Sequence, residues 1–354
     1  GIGKCCIKNP LISDDTLYMI KALKNLGINI ELGDKCINIE GCAGNITINK
    51  DKILYLGNSG TSIRFLTAMT SIIKSEHKII LTGMERMKSR PIKHLVMALK
   101  QLGVSINTET GSGCPPVIIF NNRENILGGT TEIDCSVSSQ YLSGLLMISP
   151  CYGTDTKIYI KSDMVSSKFV KLTTKIMNKF GVNVVENIDQ RYYLVKSQKY
   201  KNPKEYLIEA DASSCSYPIA LSISHKIPLH IPNLTSNNKQ GDLYFSTEVM
   251  SKFGTFDIKC NEEGTLIDNF KNDNKLCGLG TIDMDSSDTF LTIGVLAALS
   301  NGTTKIINID NQNVKECERI NVLYKYLKEA GVDINLQNNE LEIQGNGGKN
   351  LKQI

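Results

Sequence analysis

Residues 99–107 read LKQLGVSIN, and four other segments follow the same pattern: LKNLGINIE at 23–31, MNKFGVNVV at 177–185, MSKFGTFDI at 250–258 and LKEAGVDIN at 327–335. Each predicts the last turn of an amphipathic helix, a glycine just past its end, and a strand rich in β-branched residues. Glycine suits that place because the residue closing a helix often takes a positive φ, which gives other residues a clash at Cβ. The glycines Gly27, Gly103, Gly181, Gly254 and Gly331 are 76, 78, 73 and 77 residues apart. So regular a recurrence marks a repeat.

A second register runs between these segments, where small polar residues lead into an apolar helix: GNSGTSIRFLTAM from Gly57, SVSSQYLSGLLM from Ser136, DASSCSYPIALS from Asp211 and SSDTFLTIGVLAAL from Ser286. Each unit then reads as strands, a first helix opened by Ser, Gly or Asp, more strands such as HKIILTG or TKIINI, and a second helix closed by Gly. Such alternation predicts an α/β (α+β) fold. The first-helix N-termini carry unpaired N–H groups and partial positive charge, which suits anions, and the same serines serve equally as plain N-caps. Only 26 residues precede Gly27 and 23 follow Gly331, so both terminal units are expected to be incomplete.

The composition fits this reading. In 354 residues, 41% are hydrophobic and 21% charged, enough for a buried core and for two domains, and unlike a disordered chain. With 40 Lys+Arg against 36 Asp+Glu, the net +4 predicts neither a nucleic-acid nor a membrane partner. A few local cations could still hold a small anion. No apolar run approaches the roughly 18 residues of a membrane span and the first residues lack a signal-peptide pattern, so a soluble, cytosolic chain is expected. Eleven cysteines, scattered from Cys5 to Cys317 with no Cys-x-x-Cys and no histidine cluster, predict reduced thiols and no metal site.

Seven segments occur in order: LGNSGTSIRFLTAM, RMKSRPIKHLVMAL, SVSSQYLSGLLM, DASSCSYPIALS, QGDLYF, DMDSSDTFLT and NQNVKECERI. By them the chain resembles the 5-enolpyruvylshikimate-3-phosphate synthases, most nearly the form embedded in the fungal pentafunctional AROM polypeptide. The resemblance implies a two-domain enolpyruvyl transferase fold, an inside-out α/β barrel of repeated strand-helix units. Six units of this length would need about 456 residues, so the barrel is expected to be incomplete here. The polar stretch KSQKYKNPKEY, residues 196–206, is the best boundary signal, giving expected domains at 1–209 and 210–354.

The implied reaction moves the carboxyvinyl group of phosphoenolpyruvate to the 5-hydroxyl of shikimate 3-phosphate and releases phosphate through a tetrahedral intermediate. No cofactor or metal is implied, and the resemblance to AROM implies fusion to other shikimate-pathway domains. Asp288 matches the family's aspartate near the target hydroxyl; by sequence alone it is equally a helix-dipole carboxylate. Glu316 matches the acid that protonates the methylene carbon, and its neighbour Lys315 a substrate-binding lysine, although a Lys-Glu pair usually lies on a solvated face. Arg90 and Arg319, with Asn58 and Gly60, match the phosphoenolpyruvate-binding set, and Arg319 follows Glu316 by a spacing that shares one helix face. Ser138, Ser139, Gln140, Ser166 and Asn311, with Asp288 and Lys315, match the shikimate-3-phosphate set.

Three departures from the family's pattern stand out. Ser166-Ser167-Lys168-Phe169 replaces the usual Ser-x-Pro-Tyr and loses a hydroxyl donor, at a cost of about 0.5–1.5 kcal/mol. Asn313 replaces an arginine beside the site, removing a fixed charge. The family's N-terminal Pro-Gly-Ser-Lys-Ser segment and its late Asp-His-Arg segment are absent, and with them several cations, so these residues by themselves are expected to show negligible turnover. Two alternatives remain: a non-catalytic assembly domain or partial sequence of a multifunctional polypeptide, and the related UDP-N-acetylglucosamine enolpyruvyl transferase, whose fingerprints differ.

Overall fold

The computed structural model, which describes residues 1–120, 128–271, 275–285, 287–349 and 351–352, forms two compact units, 1–208 and 209–354. Ser286, the first residue of one segment quoted above, lies outside the described residues. The sequence repeat corresponds to a strand, a helix, a second strand, a second helix and two closing strands. In one copy these are Lys52–Tyr55, helix Gly60–Thr70, Ile79–Thr82, helix Lys93–Gln101, Ile106–Thr108 and Val117–Ile119. Two further copies run from Gly129–Ile133 to Tyr192–Val195 and from Gly280–Asp283 to Glu340–Asn346.

Each of these copies makes a four-stranded sheet in which the first strand lies parallel to the second and the last two strands run antiparallel. The parallel pair follows from the helix between its members, since a parallel connection must cross over. Along Glu340–Asn346, Leu341 and Ile343 are buried while Glu342 and Gln344 are exposed, so one sheet face packs on the core and the other meets solvent. Helices Gln140–Ile148 and Phe290–Leu299 are apolar nearly all round, and most of their residues are buried. They lie in each unit's core, the first packed against helices Gly60–Thr70, Lys93–Gln101 and Ser167–Lys179, the second against strands Asn301–Ile307 and Glu340–Asn346.

The first sheet begins at Ile2–Lys8, and the place of its leading strand is taken by Glu205–Leu207, parallel with Cys6 opposite Glu205. The N–H of Ile2 donates to the Tyr200 carbonyl at 3.0 Å, and that of Asn202 to the Ile2 carbonyl at 3.1 Å. Much of the polar stretch at 196–206 is therefore tied down as a sheet edge, where charged residues are well tolerated. Among the described residues the sheet of Leu229–Ile231, Gly264–Asp268 and Asp257–Asn261 has three strands.

Four of the five repeat glycines end a helix in left-handed backbone, with φ of 91° at Gly27, 88° at Gly103, 84° at Gly181 and 86° at Gly331. Gly254 does not. It follows a π turn, Phe245–Val249, and a 3-10 turn, Met250–Phe253, and leaves them extended at φ −173°. That mixed winding buries Phe245, Val249, Met250 and Phe253 together, and a chain leaving extended needs no left-handed cap. All eleven cysteines are free thiols, and among the described residues no helix is long and apolar enough to cross a membrane.

Candidate active site

In the first unit, the turn before helix Gly60–Thr70 holds a buried arginine. Arg90 Nη1 donates to the Asn58 carbonyl at 2.6 Å and to Asn58 Oδ1 at 3.4 Å. Gly60 makes this possible, because a methyl there would lie 2.4 Å from Arg90 Nη2. Ser59 caps the helix, its Oγ accepting from the Ser62 N–H at 3.3 Å.

The neighbouring helix Gln140–Ile148 is joined to this one by its first residue. Gln140 Oε1 accepts from Arg64 Nη1 at 2.7 Å, and Gln140 Nε2 donates to Thr61 Oγ1 at 3.0 Å. Gln140 N–H donates in turn to Ser138 Oγ at 3.3 Å, while Ser139 is buried beside it. Arg64 is 5% exposed and lies over the Tyr141 ring, whose hydroxyl donates to the Pro91 carbonyl at 2.6 Å. Two cations and two helix N-termini thus share one hydrogen-bonded region, a setting suited to an anion. Ser166 lies at the start of a third helix, Ser167–Lys179, buried and in left-handed backbone at φ 52°.

In the second unit, a network of charges surrounds the start of helix Arg319–Glu329. Arg319 Nη1 donates to Asp288 Oδ1 at 2.8 Å and to Gln312 Oε1 at 3.0 Å, and Nη2 to Glu316 Oε2 at 2.5 Å. Lys315 Nζ stands 3.6 Å from the same Asp288 oxygen. Burial opposes the charge on Arg319, but the carboxylates of Asp288 and Glu316 outweigh it and hold the guanidinium above its ordinary range. Glu316 lies ahead of the helix rather than on it, so the pair meets across a turn. Asn311 is buried nearby, and its Oδ1 has no hydrogen-bond partner among the described residues.

Asn313, at the position where the resemblance implies an arginine, has a structural role of its own. Its Oδ1 accepts from the Ile320 N–H at 3.0 Å and so caps the helix that carries Arg319. The local geometry there is held by an amide. Phe169, at the other departure, is half-buried on helix Ser167–Lys179, where its carbonyl accepts from Thr173 Oγ1 at 2.8 Å.

Sequence reasoning missed Asp242. It is 3% exposed, and its two oxygens accept from Ser213 Oγ at 2.7 Å and Ser287 Oγ at 2.9 Å, linking helix Ala212–His225 to the loop of Asp288. The QGDLYF segment had pointed to the region without a role for this residue. Burial pushes the Asp242 carboxyl up, the two serines pull it back, and Asp288 and Asp211 push it up again, leaving it above its ordinary 3.8. Such an acid binds its proton more tightly folded than unfolded. Its contribution to stability is full at low pH and is lost as the pH rises from the unfolded value through the folded one. Asp242→Asn is therefore expected to gain melting temperature relative to the parent as the pH is raised from about 4 to about 7. A variant that loses ground over that range would contradict the assignment.

Repeated strand-helix units with cations and hydroxyls gathered at helix starts place the chain among the enolpyruvyl transferase folds. A solved EPSP synthase from Acinetobacter baumannii has this fold, with a TM-score of 0.72 at 20% identity, over 98% of this chain and 77% of its own. The chain belongs to the EPSP synthase (3-phosphoshikimate 1-carboxyvinyltransferase) family, whose model matches residues 1–353. A 3-phosphoshikimate 1-carboxyvinyltransferase from Haemophilus influenzae (strain PittEE) is 38% identical over 97% of this chain and 78% of its own length. A pentafunctional AROM polypeptide from Komagataella phaffii is 36% identical over 99% of this chain and 23% of its own length.

Proposed function

We propose that the polypeptide carrying these residues transfers the carboxyvinyl group of phosphoenolpyruvate to the 5-hydroxyl of shikimate 3-phosphate. The observation that carries this is the single network of Asp288, Lys315, Glu316 and Arg319, which sets two carboxylates against two cations. In the addition step Asp288 takes the hydroxyl proton as the oxygen bonds to the central carbon of phosphoenolpyruvate, and Glu316 gives a proton to the methylene carbon. The tetrahedral intermediate then loses phosphate: Glu316 takes a proton back from the new methyl, the double bond re-forms, and phosphate leaves with the proton held by Asp288. Arg90 and Arg319 bind phosphoenolpyruvate with Asn58 and Gly60. Ser138, Ser139, Gln140, Ser166, Asn311 and Lys315 bind shikimate 3-phosphate, and the buried Asn311 oxygen suits a sugar-acid hydroxyl.

The AROM relatives support a further proposal, that these residues are joined to other shikimate-pathway domains in one polypeptide. Substrate class is tested by calorimetric titration. Shikimate 3-phosphate should bind saturably and shikimate should not, because the helix starts and cations act on the phosphate; equal binding of the two would overturn this reading.

Gly60→Ala gives a sharper result in the same polypeptide. The added methyl must displace the Arg90 guanidinium, breaking a charge-assisted bond of about 1.5–3 kcal/mol. Phosphoenolpyruvate affinity should fall about 10- to 100-fold while shikimate 3-phosphate affinity is nearly unchanged. A uniform loss of both would point instead to misfolding.

A further inference from the structure

We propose that Gln312 is a positioning residue for Arg319, holding its guanidinium in one plane while the carboxylates around it gain and lose protons. Gln312 lies on the 3-10 turn Asp310–Val314 and is fully buried. Its Oε1 accepts from Arg319 Nη1 at 3.0 Å, and its Nε2 donates to the Ser287 carbonyl at 3.4 Å, one residue before Asp288. One side chain therefore joins the arginine to the loop that carries Asp288. Asn313, its neighbour on the turn, caps the same helix through the Ile320 N–H.

The other two acceptors on the guanidinium, Asp288 and Glu316, are partly exposed carboxylates. In the function proposed above, on which this inference rests, they are the groups that exchange protons. Each protonation removes a charge that holds Arg319 in place. The Gln312 oxygen does not titrate in this range, so its grip is the same in every protonation state. Being neutral, it also orients the guanidinium without competing for its charge, leaving that charge to an anionic ligand.

The test uses the 354-residue chain, whose six arginines can be labelled selectively with nitrogen-15 and told apart by NMR. Arg319→Lys assigns the Arg319 signals. In the parent chain, rotation about the Arg319 Nε–Cζ bond should stay slow from about pH 8 down to about pH 5. In Gln312→Met, which keeps length and loses both polar atoms, that rotation should become at least about tenfold faster, because the bond from Arg319 Nη1 to the Gln312 oxygen is gone. Gln312→Glu, which keeps an oxygen at the same reach, should restore slow rotation near neutral pH. If Gln312→Met fails to fold, as judged by the other five arginine signals, Gln312→Asn carries the same expectation through its shorter reach.

Rotation equally slow in the substituted and parent chains at every pH, or a Gln312→Glu chain that stays fast, would overturn the proposal. Added phosphoenolpyruvate reads the underlying function separately. If it leaves Arg319 unmoved in the polypeptide carrying these residues while Gln312→Met frees the side chain, the positioning role stands and the proposed reaction falls.

Discussion

Asp288→Asn is expected to slow carboxyvinyl transfer by about 10²- to 10⁴-fold, the usual worth of a positioned general base. The amide keeps the shape of the carboxylate and can still accept from Arg319 Nη1, now at 2.8 Å, so the fold and the arginine should be preserved. What is lost is the ability to take a proton from a hydroxyl. Removing a negative charge beside two anionic substrates should also leave the KM for phosphoenolpyruvate unchanged or lower it. The signature is a collapse in kcat without a rise in KM. A raised KM with kcat intact would show that Asp288 binds substrate and does no proton transfer.

Arg319→Ala should act on binding. Arg319 is largely buried and carries bonds to Asp288, Glu316 and Gln312, so its loss removes a cation from the anion site and leaves two carboxylates facing each other. Each charge-assisted bond lost to the anion costs about 1.5–3 kcal/mol and an arginine can make two, so phosphoenolpyruvate affinity should fall at least about 100-fold. Lys315, 3.6 Å from Asp288, remains to offset part of the repulsion. Arg319→Lys should recover little, because an ammonium cannot reach three acceptors in the geometry of a planar fork. Full recovery by lysine would mean that charge alone matters at this position and would remove the reason for the Gln312 contact.

The repeat was legible in the sequence because its markers are local. A glycine after an amphipathic helix needs no distant partner to declare itself, and at four of five places the backbone takes the left-handed turn that glycine favours. Gly254 escaped because a π turn and a 3-10 turn are set by how Phe245, Met250 and Phe253 pack, which no local pattern records. The strand Glu205–Leu207 escaped for a similar reason: its partner, Ile2–Lys8, lies almost 200 residues away.

The same division runs through the site. Lys315, Glu316 and Arg319 stand close in sequence and could be read together. Asp242 could not, since Ser213 and Ser287, which it joins, are 29 and 45 residues from it. One signal did exist. Arg64 and Gln140 are 76 residues apart, as are Ser216 and Thr292, whose hydroxyls meet at 2.8 Å, so equivalent first helices touch at positions about one repeat apart. Pairing polar residues across one period would have found both contacts. Asn313 teaches the converse, since counting charges registered a lost arginine and missed the helix cap that its amide provides.

The most direct measurement follows phosphorus-31 NMR signals in a mixture of phosphoenolpyruvate, shikimate 3-phosphate and the polypeptide carrying these residues. Phosphoenolpyruvate should disappear only when shikimate 3-phosphate is present, with one inorganic phosphate released for each shikimate 3-phosphate converted, and Asp288→Asn should suppress all three changes together. Phosphate released without shikimate 3-phosphate, or transfer that continues undiminished in Asp288→Asn, would contradict the account.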